Sequence, residues 1–528
     1  MAWQQVYDPL GEQILSTIAA AFPIMLLIGL LLFSRLRPYY SAALSVLSAS
    51  LIASLIYRMP IPLITTTIGF GILYGLLPIG WIVLNVFFLF KMLTVSGTID
   101  GLKKALISIT DDKRLLLLMV AFCFGAILEG AAGFGTPVAI TASILIGLGF
   151  SPLNASFLSL LANTAPVAYG GLGTPIIALQ GVTGLELGLL SATVGKILAP
   201  IGAIIPIWLV WSYAGWKKTR EILPVLLVSG VTFSLTQYLV SSLHGPWLAG
   251  VAAGAFSLAA TILMVSKKKT TENRKSKLEE PVSRPSKFHI WLPWLVLILF
   301  ILIWGLPPVK AFLNKPSLLF PITPLHQHVM RMPPIVSEPL PESAIFKFDW
   351  MSATGTAIFL AGIINGLALG FNTKEIFKFF TDSVRDVKFS LLTICGMMTL
   401  GFITRYSGMD ATLGLAFASV GIFYPFFGTL LGWLGVAITG SDTSSNMLFG
   451  SLQTITARQL GFDPAVMAAA NSAGGVMGKM IDAQSIVIAS TSTRWFGHES
   501  EILRKVIFHS TALVVLVGLI VTANIYWL

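Results

Sequence analysis

Apolar runs of about 17–25 residues recur along the chain, interrupted at a few places by short polar, glycine-bearing stretches. Runs of that length suit helices crossing ~30 Å of hydrocarbon, and not the alternating ~10-residue strands of a membrane β-barrel. The pattern predicts spans at about 14–34, 40–57, 79–96 and 187–214, with 62–78 as an interfacial or partly inserted helix. Segments 115–128 and 137–149 predict a re-entrant hairpin, and 153–181 a crossing helix broken at "ANTAPVAYGGLGTP". Two further spans (about 221–242 and 246–265) precede a second set that starts at Trp291, contains a hairpin at about 411–457 and ends with a span at 506–527. The predicted fold is an all-α integral membrane protein of about 12 transmembrane helices plus two re-entrant hairpins.

The polar interruptions repeat. "ANTAPVAYGGLGTP" at 162–175 answers "ANSAGGVMGKMIDAQS" at 470–485, with Asn163 and Asn471 308 positions apart (471 − 163) and Gly170 and Gly478 at the same offset. Upstream, "EGAAGFGTP" at 129–137 answers "GSDTSSN" at 440–446, and "SGTID" at 96–100 answers "SGMD" at 407–410. Three landmarks in one order at nearly one spacing mark an internal repeat.

Basic residues orient it. Lys and Arg accumulate in cytoplasmic loops, which puts Arg35, Arg37, Lys103, Lys104, Lys113, Arg114, Lys217, Lys218 and Arg220 inside. Five crossings then make up the first copy, residues 1–220. Two linking spans and the basic cytoplasmic stretch "KKKTTENRKSKLEEPVSRPSKFH" make up 221–290, and the second copy, 291–528, starts on the opposite side. Odd crossings make the repeats inverted and place both termini outside. The loop 307–347 then lies outside; its His326 and His328 are read as part of a solvated loop rather than a metal site.

Composition narrows the function. Hydrophobic residues make up 55% and charged residues 11%, less than half the charge of a soluble chain. The net charge of +11 is accounted for by inside loops, so no nucleic-acid partner is implied. Cys123 and Cys395 lie in apolar segments and offer neither a disulfide framework nor a metal site. No H-E-x-x-H or G-x-x-x-x-G-K-[ST] motif appears, which removes the usual signatures of a metalloprotease or an ATP-driven pump. The N-terminus carries no basic signal-peptide region.

Unwound backbone at membrane depth persists only where protein buries it or where it lines a cavity. Inverted repeats with discontinuous helices are the arrangement of secondary transporters, in which half-helix N-termini face an anionic substrate. The candidate substrate contacts are therefore Gly133, Gly135 and Thr136 at the first tip, and Asn163 and Thr164 at the first break. At the second tip and break they are Ser441, Thr443, Ser444, Ser445, Asn446, Asn471, Ser472 and Lys479. A lysine at this depth costs about 2.5–3.5 kcal/mol even on lenient scales. It is a natural counter-charge for a monocarboxylate, or the structural partner of Asp482 three residues on. Glu129 and Asp442, near the hairpin tips, are candidates to carry a coupling proton, because desolvation disfavours a buried carboxylate. His509 is a further proton-relay candidate.

These motifs resemble the L-lactate permease family: "EGAAGFGTPVAI", "ANTAPVAYGGLGTP", "TGSDTSSN", "AANSAGGVMGKMIDAQS" and the N-terminal "YDPLG". The resemblance covers nearly the whole chain. It implies a multi-pass carrier of the prokaryotic plasma membrane that moves L-lactate, and D-lactate or glycolate, in symport with protons and without a cofactor. Glu129, the "GSDTSSN" run and Lys479 fall on family motif positions. The family pattern has Ser-Pro where this chain has Asp482-Ala483, which points to Asp482 as a local partner of Lys479 and not the proton site. Other readings are a Na⁺-coupled carboxylate carrier, an anion channel and, last, a membrane enzyme, for which no nucleophile–base pair stands out. An elevator mechanism, by analogy, leaves room for a homodimer.

Overall fold

The computed structural model describes residues 2–33, 36–98, 101, 109–133, 135–271, 287–495 and 498–527. Arg35, Lys103, Lys104, the end of "SGTID" and most of the basic 267–289 stretch lie outside the described residues.

The first copy contains α1 (Gln13–Phe33), α2 (Pro38–Leu55), α3 (Ile61–Val95), α4 (Lys113–Ala131), α5 (Thr136–Gly147), α6 (Pro152–Asn163), α7 (Gly170–Thr183) and α8 (Leu187–Ala214). The linking helices are α9 (Leu223–Leu243) and α10 (Ala249–Thr271). The second copy contains α11 (Lys287–Gly305), α12 (Thr354–Ala368), α13 (Thr373–Ser407), α14 (Met409–Ala418), α15 (Tyr424–Thr439), α16 (Asp442–Gln459), α17 (Pro464–Gly478), α18 (Ala483–Ser492) and α19 (Glu499–Tyr526).

Eight of the nine helices in the second set pair in order with the eight of the first; α14 has no counterpart among the described residues. α3 and α13 are 35 residues each and α8 and α19 are 28 each; the starts of both pairs lie 312 positions apart (373 − 61; 499 − 187). Local chemistry repeats as well. α6 and α17 both open with Pro at the first helical position behind a capping side chain, Ser151 and Asp463, which accepts a backbone N–H. Ten helices are long and apolar enough to cross a membrane among the described residues. Eight of them, the two broken helices α6–α7 and α17–α18, and the shorter α11 and α12 provide twelve crossings; the other two are hairpin arms. The α4 arm of the first hairpin is enclosed by protein, 94% buried against 28% for α1, whereas the α15 arm of the second is 39% buried.

Three expectations need refinement. Residues 62–78 form a helical segment of their own, ended where Leu77 leaves helical angles and Pro78 lacks a donor; a second helix follows directly, so the two together make the kinked stretch α3. Second, the second hairpin runs from Tyr424 to Gln459, because residues near 411 belong to the separate helix α14, ended before Gly421 at φ +62°. Third, the 307–347 loop is not merely solvated. Strands β2 (Leu318–Pro321) and β5 (Ile345–Phe348) pair antiparallel, while β3 (Val329–Arg331) lies between β4 (Leu340–Pro341) and the N-terminal β1 (Trp3–Gln4). Leu325, Val329 and Ala344 are buried beneath them, and His326 accepts from the Ala344 N–H at 3.1 Å. Arg331 and Arg405 clasp Glu342 there. Burial pushes its carboxyl up, but the two guanidiniums outweigh burial and hold it below the usual range.

Two layers result. α2 and α3 interlock with α12 and α13. Here a Cβ on Gly71 or Gly75 would stand only 2.5 or 2.8 Å from the Cα of Thr399 or Cys395, so small residues let α3 meet α13. The hairpins and broken helices pack together as the other layer.

Candidate functional site

Both hairpin tips and both helix breaks line a single cavity of about 360 Å³ at the junction of the layers. Its far wall is Arg37 and Tyr39 at the start of α2, with Phe389, Ser390 and Thr393 of α13. Tyr39 stacks on Phe389 with ring centroids 5.1 Å apart, and the Arg37 guanidinium lies 5.5 Å from the same ring centroid.

At the first tip the chain turns at Gly133 and Gly135, both with positive φ. Glu129 lies earlier, in the last turn of α4, and its carboxylate accepts from Asn163 Nδ2 at 3.0 Å. The hairpin therefore does not turn at the Glu129–Gly130 junction. Gly130 is still helical, in the last turn of α4, where a Cβ would be 2.5 Å from Val251 N of α10. After the α6 break, Gly171, Leu172 and Gly173 take left-handed angles, which two glycines make cheap, and the chain re-enters a helix at Thr174–Pro175. Gly170 borders the Glu129 carboxylate so closely that a Cβ there would overlap Oε1.

At the second tip Gly440 (φ +71°) ends α15, and Ser441 caps α16 by accepting from the Ser444 N–H at 3.2 Å. Asp442 Oδ2 accepts from Ser472 Oγ at 2.6 Å. Behind it Asn471 Nδ2 donates to Asn446 Oδ1 at 2.9 Å, and Asn446 Nδ2 donates to Pro175 O at 3.1 Å, joining the second hairpin to the first break. Lys479 stands at the break after α17. Its Nζ donates to Gly440 O at 2.6 Å and pairs with Asp482 Oδ2 at 3.3 Å. Asp482 Oδ1 in turn accepts from the Ser485 N–H at 2.7 Å, capping α18. The predicted i,i+3 partnership is therefore present, and it fastens break to tip.

Glu129, Gly133, Ser441, Asp442, Thr443, Ser444 and Lys479 line the cavity. Asn163, Asn446, Asn471 and Ser472 are buried behind it and hold those that do. Ser445 Oγ bonds Gly432 O at 3.1 Å, and Thr164 Oγ1 bonds Leu161 O at 2.6 Å. Gly135 packs toward Ile488, and Thr136 opens α5. His509 is elsewhere: its Nδ1 accepts from Trp208 Nε1 at 2.8 Å, and its ring packs 4.9 Å from Phe157.

Gly170, a repeat landmark in the sequence, and Thr174, Gln484, Tyr39, Phe389 and Thr393 were not among the expected substrate contacts, yet they also line the cavity. Thr174 had a signal, since "GLGTP" at 171–175 echoes "GFGTP" at 133–137. Thr174, Ser441–Ser444 and Gln484 put three helix N-termini on the cavity wall. The partial positive charge at helix N-termini suits an anion.

Residues 16–528 match the family model described as L-lactate permease. The chain is 41% identical to the glycolate permease GlcA of Escherichia coli (strain K12), covering 100% of this chain and 98% of the relative. It is 39% identical to an L-lactate permease of Bacillus subtilis (strain 168), with 98% of each covered. The backbone aligns with the Neisseria gonorrhoeae MtrF structure at 13% identity and a TM-score of 0.49, over 96% and 98% of the two chains, too loosely to carry an argument. With twelve crossings, two hairpins and a full-length family match, this chain is a multi-pass membrane transporter, not an enzyme, and it belongs to the L-lactate permease family.

Proposed function

We propose that the protein takes up L-lactate, and with it D-lactate or glycolate, across the cell membrane in symport with protons. The permeases of both substrate names among its relatives support the substrate class. The observation that carries the coupling is the charge inventory of the cavity. Lys479 is already paired with Asp482, and two further buried carboxyls, Glu129 and Asp442, face the same space. Two like charges about 4 Å apart at an effective dielectric of ~20 repel by ~4 kcal/mol. A substrate carboxylate therefore enters readily only when a neighbouring carboxyl is protonated, so proton and anion favour each other's binding. The helix N-termini, the Lys479 ammonium and the Ser441, Thr443 and Thr174 hydroxyls are suited to hold the carboxylate and the 2-hydroxyl.

The same reading treats residues 1–220 and 291–528 as inverted repeats joined by 221–290, with both termini outside. Pairing of β1 with β3 supports it by joining the N-terminus to the 307–347 loop. Arg37, which the positive-inside rule puts in the cytoplasm, borders the cavity, so the conformation is read as open toward the cytoplasm. Transport then moves the hairpin layer against the α2–α3–α12–α13 layer.

Uptake of labelled lactate into proteoliposomes under an imposed pH gradient tests this, with Na⁺ replaced by K⁺ in a parallel arm. Accumulation that follows the pH gradient and ignores Na⁺ is expected. Dependence on Na⁺ would transfer the coupling to sodium, and equilibration without accumulation would make the protein a channel.

A further inference from the structure

A second cavity, about 540 Å³, lies beneath the β-strand layer. The same two helices wall both cavities. In α7, Thr174 and Pro175 line the central cavity while Gln180 and Gly184 line the second. In α13, Thr393 and Ile394 line the first while Phe402 and Arg405 line the second. At 1.5 Å rise per residue the nearest lining residues are about 3 Å apart along α7 (Pro175 and Ile177) and about 12 Å apart along α13 (Ile394 and Phe402). In the second cavity's own wall α7 passes so close to α3 and α13 that a Cβ on Gly181 would stand 2.7 Å from the Tyr74 ring and 3.2 Å from Met398 Cε.

The walls of this second cavity are cationic. Lys310, Lys347 and Arg405 face it against a single carboxylate, Asp349. Arg405 is fixed by Val182 O at 2.9 Å and Glu342 Oε2 at 3.1 Å, and its buried Nε has no partner among the described residues. Lys347 holds Asn314 Oδ1 at 3.1 Å and Asp349 at 3.5 Å. Lys310 Nζ stands 5.0 Å from the Trp247 ring centroid, not against a carboxylate. A recess whose lining carries an excess of one sign, here three cations against one carboxylate, with low-dielectric aromatic walls concentrates counter-ions and speeds their arrival.

We propose that this vestibule is a second binding site, which collects a short carboxylate anion on the face opposite the central cavity's mouth before it passes inward between α7 and α13. The proposal rests on the carboxylate-transport reading for its ligand but not on Lys479 or the coupling acids. Trp247 in the vestibule wall supplies a local probe.

The experiment is a lactate titration of tryptophan fluorescence in the purified full chain, with uncharged lactamide as control and Trp247→Phe to assign the signal. A saturable, Trp247-dependent change is expected that lactamide does not produce and that Lys310→Gln/Lys347→Gln weakens several-fold. It should persist when Lys479 and Asp482 are replaced together, a change expected to stop transport. In proteoliposomes, Lys310→Gln should raise the half-saturating lactate concentration several-fold from the vestibule face only. A Trp247 signal that is absent, that lactamide reproduces, or that ignores the lysine changes overturns the vestibule. Transport surviving loss of Lys479 would instead overturn the central-site reading alone.

Discussion

Replacing Lys479 with Met strips the cation from Asp482, whose side chain is 1% exposed and cannot regain water. Removing one partner of a buried ion pair costs about 3–5 kcal/mol, because a charge is left unpaired. The bond from Nζ to Gly440 O disappears in the same event. Lys479→Met should therefore be strongly destabilised as well as inactive, and its inactivity alone says nothing about binding. Adding Asp482→Asn separates the two effects. Asn keeps the cap on Ser485 N–H and removes the orphan charge, so the double variant should return to within about 1–2 kcal/mol of the parent. Cys123 and Cys395 are buried, so a thiol-reactive dye followed on heating reports unfolding directly. The account requires a double variant that is stable and still transports nothing. If it takes up lactate like the parent, Lys479 serves only to hold Asp482 and the carboxylate is received elsewhere.

In Glu129→Gln, lactate counterflow should continue while accumulation under a pH gradient is lost. One coupled proton supports about tenfold accumulation per unit of pH difference, so the ratio should fall to one; retained accumulation would remove Glu129 from coupling. Gly432→Ala puts a Cβ into Asn471 O where α15 crosses α17, and should lower stability by about 1–3 kcal/mol in the thiol-dye assay. Unchanged melting would mean that this crossing is looser than described. In a Cys123→Ala/Cys395→Ala background, Lys315→Cys should react with an impermeant thiol reagent from outside and Lys217→Cys only from inside. Both positions are exposed, and labelling from one side would refute the inverted topology.

The tips and breaks were legible because glycines, hydroxyls and charges stand out in a chain where lipid tolerates none of them without a partner. The Lys479–Asp482 pair was legible for a simpler reason, its i,i+3 spacing. Within "EGAAGFGTP" the chain turns at Gly133 and Gly135, among the residues expected at the tip, while Gly130 is spent on approach to α10, which no local pattern announces. Pro78 reads as a helix end in sequence and Leu77 does leave helical angles there; what no local pattern announces is that the next helix follows directly, with Gly71 and Gly75 packed on α13. Tyr39, Phe389 and Thr393 sit in ordinary helical sequence. Only the docking of α2 and α13 against the hairpins decides which of their faces meets the cavity. The three-stranded sheet takes in residues 3–4 by pairing them with 329–330, a contact no local pattern announces.

The central claim is that lactate and a proton bind as a unit to the cavity shared by Glu129, Asp442 and Lys479. Calorimetric titration of lactate into the purified protein, in buffers of different ionisation enthalpy, counts the protons taken up with each anion. At alkaline pH, where the free carboxyls hold fewest protons, the account predicts uptake approaching one proton per lactate bound, and less in Glu129→Gln/Asp442→Asn. Lactate binding with no proton uptake at any pH would contradict it.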